Sequence, residues 1–109
     1  VGHVKAMQLI LMNDLLTAEQ AREWGLVNEV VADDKLMARV MEVAHQLAAG
    51  PTLAYCEAKR LVTDSLGNTL ETQMEMETRA IAGLARSSTD TINAIHAFTK
   101  KQKPEFNGK

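Results

Sequence analysis

Helix punctuation, more than hydrophobic content, limits what this chain can fold into. In "TAEQAREWGLV", Thr17 and Gln20 stand three apart, the spacing of a capping box. There the hydroxyl caps one amide and the third residue reaches back to another. Gly25 follows where a helix can end in a left-handed residue without a Cβ penalty. Gly50-Pro51 closes one helix and opens the next, with Gly as the terminator and Pro in the first turn. Gly67 stops a fourth helix, and Asn68 with Glu71 repeats the N-cap-plus-Glu signature of a fifth. "SSTD" (87–90) caps a sixth, which ends before Lys103-Pro104.

Between these marks the apolar residues recur at helical spacing. Val4, Met7, Leu11 and Met12 make a first face, ending near Asn13-Asp14. Leu36, Val40, Val43, Ala44 and Leu47 make a third, and Ala54, Ala58, Leu61 and Val62 a fourth. Leu70, Met74, Ile81 and Leu84 form the stripe of the long fifth helix, and Ile92, Ile95 and Phe98 that of the sixth. Only "NEVVA" (28–32) departs from the pattern and reads as extended chain or a brief strand. The expectation is an all-α chain of about six helices with short connections.

The bulk numbers agree with a globular helical domain. The 109 residues are 46% apolar and 24% charged, with six Gly and two Pro, which excludes disordered and collagen-like chains. Cys56 is the only cysteine, so no internal disulfide or cysteine metal site can form, and a cytoplasmic location is expected. No apolar run approaches the ~18 residues of a membrane span. The first residue is Val1 rather than Met, so either a processed protein or a piece of a larger one is expected.

Chemistry is sparse. His3, His45 and His96 lie apart from one another and from any ligand set at metal spacing. Each reads as an ordinary helix residue. No Gly-rich phosphate loop occurs, because Gly25, Gly50 and Gly67 are explained as helix ends. Cys56 has no base partner in view and reads as inert. In "ETQMEMETR", Glu75 and Arg79 form an i,i+4 pair on a wetted face. Trp24 reads as a packing anchor for the short second helix.

The exception is the end of the chain. Residues 1–99 carry eight Lys/Arg against thirteen Asp/Glu, whereas residues 100–109 carry four lysines against Glu105 alone. Lys100, Lys101 and Lys103 follow Phe98 directly in "AFTKKQKPEF". An aromatic ring beside ammonium groups suits stacking and phosphate pairing. The same lysines would also simply complement the negative end of a helix dipole.

The order of segments, "VGHVKAMQLIL", "AEQAREWGLVNEVV", "GP" before a Lys-bearing helix, "LETQMEMET" and "AF..K..P.F", resembles the C-terminal region of the enoyl-CoA hydratase/isomerase (crotonase) family. The resemblance covers essentially the whole chain, and is nearest to bacterial degradative members such as those of phenylacetyl-CoA catabolism. It implies a helical C-terminal domain over residues 1–109 that builds trimers, often paired into hexamers, behind a β-β-α spiral core absent from this chain. It implies an acyl-CoA substrate, no separate cofactor, and a catalytic oxyanion hole and carboxylates upstream of Val1. No glutamate here matches a catalytic position. In the family an aromatic and a lysine of the last helix reach the CoA nucleotide. Here the matching residues are Phe98 and Lys101, with Lys100 and Lys103 nearby.

Two readings follow. One is a C-terminal domain of an acyl-CoA enzyme, most simply an enoyl-CoA hydratase or isomerase, inactive alone and self-associating through exposed helix faces. The alternative is a standalone helical interaction module. No nucleic-acid or membrane partner is expected, since the basic residues are confined to the tail of an acidic chain.

Overall fold

The computed structural model of the chain describes residues 1–109. It contains six α-helices and no strand: α1 (His3–Met12), α2 (Ala18–Glu23), α3 (Leu36–Ala48), α4 (Thr52–Asp64), α5 (Leu70–Ser87) and α6 (Thr89–Thr99). Single 3-10 turns at Asp33–Lys35 and Ser65–Gly67 precede α3 and follow α4. The chain divides into two units, Val1–Val40 and Met41–Lys109.

In the first unit the local rules hold closely. Asn13 ends α1 in the left-handed conformation (φ 52°), with its N–H on the Leu9 carbonyl. The Thr17 hydroxyl accepts the Gln20 N–H at 3.2 Å, while Gln20 Oε1 accepts the Thr17 N–H at 2.9 Å. Gly25 (φ 74°) completes α2 with the paired bonds Leu26 N–H to Ala21 and Gly25 N–H to Arg22. The Trp24 ring is half-buried and lies beneath Lys5 Nζ, 5.0 Å from its centroid. "NEVVA" forms no strand: Asn28 lies in a bend, residues 29–32 are irregular, and Ala32 is extended where it caps the 3-10 turn. Glu29 there grips Arg39 with both carboxylate oxygens.

In the second unit three local expectations give way. Gly50 is not left-handed. It is buried because the Tyr55 ring folds over it, so that a Cβ at Gly50 would collide with the ring. Pro51 precedes α4 as its N-cap instead of occupying its first turn. The cap of α5 is Thr69, whose hydroxyl accepts the Thr72 N–H at 3.3 Å. Asn68 is drawn away to donate to Gln73 Oε1 at 3.0 Å and to the Met76 sulfur.

The larger correction concerns which faces point inward. Helix α4 packs on α5, and α5 on α6. The residues shielded there are Ala54, Glu57 and Leu61 on α4, Gln73, Met76, Ala80 and Leu84 on α5, and Thr91, Ala94 and Ala97 on α6. Of the expected stripes, Val62, Leu70, Met74, Ile81, Ile92, Ile95 and Phe98 all remain exposed. So do Val4, Met7, Leu11 and Met12 in the first unit, and Leu36, Val40, Val43 and Leu47 along α3. Ala80 is the only buried apolar residue in the chain. Small residues and a few larger ones (Leu61, Met76 and Leu84) bring α4, α5 and α6 together, while most of the large apolar side chains are left facing water.

Surface area gives this its scale. A compact monomer of 12.0 kDa exposes roughly 6,000 Å², and two separate domains of these lengths roughly 7,000 Å². This chain exposes 9084 Å².

Candidate functional site

The last 22 residues form a closed loop. Helix α6 ends in a paired set of bonds, Gln102 N–H to Ala97 at 2.8 Å and Lys101 N–H to Phe98 at 3.1 Å. This is the motif that normally recruits glycine at its left-handed residue. Here that residue is Lys101, at φ 53°. A side chain in this conformation costs about 1–2 kcal/mol relative to the ordinary helical region. The motif reverses the chain, and residues 102–109 return to the other end of α6.

There the chain is held by the residues read from sequence as a helix cap. Ser88 makes no cap bond to its own helix. Its hydroxyl donates to the Lys109 main-chain oxygen at 2.9 Å, joined by the Thr89 hydroxyl at 3.0 Å and the Asp90 N–H at 3.1 Å. The Asp90 carboxylate accepts the Asn107 N–H on Oδ1 and the Gly108 N–H on Oδ2, both at 2.8 Å. Ser88 and Asp90 are only 3% and 2% exposed, the most buried side chains in the molecule. A carboxylate is almost never so buried without partners, and Asp90 has two amides plus the positive end of α6. Gly108, at φ 71°, supplies the backbone turn that brings both amides to it.

Between the pin and the turn, Phe106 is half-buried and Pro104 half-shielded. Phe106 closes a cavity of about 250 Å³ that Leu53, Ala54, Leu84, Ala94 and Ile95 also line. The returning segment therefore has an apolar anchor as well as a polar one.

Phe98 and Lys101 stand at the far end of this loop. Phe98 is 84% exposed on the last turn of α6, and Lys101 follows it at the reversal. Lys100 and Lys103 are exposed beside them. The structure thus brings the sequence-derived pair onto one exposed turn. The Asp90 pin was missed in the sequence, since "SSTD" has the composition of a cap. The one available signal was Gly108, a glycine after α6 with no helix of its own to end.

Another concavity is a groove of about 400 Å³ between α4 and α5, lined among others by Leu53, Cys56, Arg60, Arg79 and Leu84. Its positive charges are already paired. Arg60 reaches Glu57 at 2.7 Å and Asp64 at 3.4 Å, and Arg79 reaches Glu75 at 2.6 Å. The hydrogen bond and charge of Glu57, with Asp64 behind them, hold the exposed Arg60 guanidinium above its ordinary pKa. No group of three or more His, Cys, Asp or Glu side chains is arranged to hold a metal ion. No helix is long and apolar enough to cross a membrane.

Comparison with known proteins gives a consistent result. The family model described as Enoyl-CoA hydratase/isomerase matches residues 1–109. The 1,2-epoxyphenylacetyl-CoA isomerase of Escherichia coli is 38% identical over 108 residues, covering 99% of this chain and 41% of its own length. A probable enoyl-CoA hydratase of Rhizobium meliloti is 36% identical over 97% of this chain and 41% of its own. A crystal structure of an enoyl-CoA hydratase/isomerase from Mycobacterium abscessus superposes on the whole chain with a TM-score of 0.93 at 36% identity, using 42% of that protein. The chain spans about two-fifths of the length of the relatives it matches.

Proposed function

The chain belongs to the enoyl-CoA hydratase/isomerase family, and from that premise we propose that it is the C-terminal helical part of an acyl-CoA enzyme. The enzyme would be a hydratase or isomerase acting on a CoA thioester. Within it, this chain contributes subunit association and contact with the CoA nucleotide, and the residues that move protons lie in the rest of the protein. The similarity to an isomerase of an aromatic acyl-CoA, and to an enoyl-CoA hydratase, supports the substrate class.

The observation that carries the reading is the exposed turn. Phe98 presents a bare ring, and Lys101 presents an ammonium group held at a left-handed position that a glycine would occupy more easily. Strain kept at one residue is a mark of function when the surroundings hold it there. The ring suits an adenine face and the ammonium suits a phosphate. Exposed apolar rows on α1, α3 and α5 support association, because isolated soluble monomers rarely leave so much apolar surface uncovered.

Lys101→Ala in the full-length enzyme tests the nucleotide contact. Affinity for the CoA ester should fall about fivefold, the upper value for one exposed ion pair, and its salt dependence should weaken. An unchanged affinity and salt slope would remove Lys101 from the site. A parent protein without an acyl-CoA core would leave the alternative, a helical interaction module.

A further inference from the structure

We propose that Asp90 is a latch. By holding the Asn107 and Gly108 amides, its carboxylate keeps residues 102–109 folded back along α6 and so fixes the turn that carries Phe98 and Lys101. The first part stands on geometry alone; its functional part rests on the nucleotide-contact reading above.

The latch spans 17 residues to Asn107 and 18 to Gly108. It brings the irregular residues after α6 back to the start of that helix, a closure that carries an entropic cost. The structure meets that cost with a cluster of donors and acceptors at one place. Asp90 accepts two amides, while Ser88, Thr89 and the Asp90 N–H all donate to Lys109. Every one of those bonds joins the start of α6 to the last three residues. None serves the helix as a cap. Phe106 seats against the α4–α6 side of the same segment, so the return path is fixed at two points beyond the turn.

The consequence reaches the lysine turn because the loop has only two ends. Lys101 is bonded into α6 through Phe98, and Gln102 through Ala97. With the far end pinned, residues 102–106 cannot swing, and the left-handed setting of Lys101 is over-determined from both sides. With the pin released, the chain after Ala97 is free to continue the helix or fray, and Lys101 loses the conformation that sets its direction. Asp90 would thus be a positioning residue, acting on the ligand through the turn without touching it.

Asparagine is the informative replacement. Asp90→Asn keeps shape and volume but offers one carbonyl oxygen and a donor, so one of the two amides would face an N–H. Gly108→Ala attacks the same latch from the tail side, by placing a Cβ where φ is 71°. The full-length enzyme and both variants are to be compared by hydrogen exchange and by binding of adenosine 3′,5′-bisphosphate as the probe.

The expected result is exchange of the Asn107 and Gly108 amides faster by about tenfold or more in both variants, the worth of a hydrogen bond to a charged group. Protection in α4 and α5 should not change. Probe affinity and KM should worsen in both, with kcat nearly unaltered. Unchanged tail exchange in Asp90→Asn would overturn the latch, as would equal loss of protection throughout α5 and α6. If the tail is freed and Lys101→Ala weakens the probe, but Asp90→Asn does not, the positioning role falls. If the tail is freed while Lys101→Ala leaves probe affinity intact, the latch stands and the nucleotide reading fails.

Discussion

The two ends of α6 invert the usual rule of folding. At its start, Ser88 and Asp90 are almost completely buried, whereas at its finish Phe98 is almost completely exposed. Polar inside and apolar outside is the informative arrangement, since each needs a reason that a buried leucine does not. The buried end is satisfied within this chain, by five hydrogen bonds to Asn107, Gly108 and Lys109. The exposed end has no partner in this chain. One end of the helix is satisfied within this chain, and the other is left open to solvent.

Three substitutions test that contrast, in falling order of effect. Asp90→Ala removes the acceptor of the Asn107 and Gly108 amides, and the local opening free energy of residues 107–108 should drop by about 2–3 kcal/mol. Hydrogen exchange reads this directly, and a loss below about 0.5 kcal/mol would mean that the buried end is not what holds the tail. Lys101→Gly should move the opposite way, steadying the end of α6 by about 1 kcal/mol as the left-handed strain is relieved. It should weaken CoA-ester binding as much as Lys101→Ala does. Stabilisation with loss of affinity would separate the conformational cost from the charge. Phe98→Ala should change stability by less than about 0.5 kcal/mol, since an exposed ring packs on nothing to lose. A larger change in thermal unfolding would show that the ring is covered within the chain and that the two ends are alike.

A second contrast lies between the halves of each helix pattern. On α5 three of the expected row, Leu70, Met74 and Ile81, face water and the fourth, Leu84, is shielded, while Gln73, Met76 and Ala80 face α4. Periodicity reports that a helix has an apolar face, and it does not say which neighbour covers that face. Here Ala54, Ala80, Ala94 and Ala97 serve the contacts among α4, α5 and α6 together with Leu61, Met76 and Leu84, and most of the large apolar side chains are left over. The apolar stripe of α5 therefore lies mostly on surface that this chain leaves uncovered.

The site was legible to an uneven degree. Phe98 and Lys101 stood out by charge segregation and by the family resemblance, and they do share one exposed turn. The left-handed setting of Lys101 was invisible, because no residue preference announces a lysine where glycine is usual. Gly50 was misread for a related reason. A glycine demanded by an overlying ring has the same letter as one demanded by a positive φ.

By itself the sequence determined that the chain is all-α, where the six helices lie within a few residues, and how α2 begins and ends. Those outcomes rest on bonds between residues three to five apart, and such bonds are written into adjacent letters. Only the tertiary structure decided which faces turn inward, that Thr69 and not Asn68 caps α5, and that "SSTD" is a latch. These depend on which groups compete for the same donor, and on a loop closed across 17 to 21 residues. Over that distance the entropy of closure and the burial of a carboxylate outweigh any local preference, and no short motif records the balance.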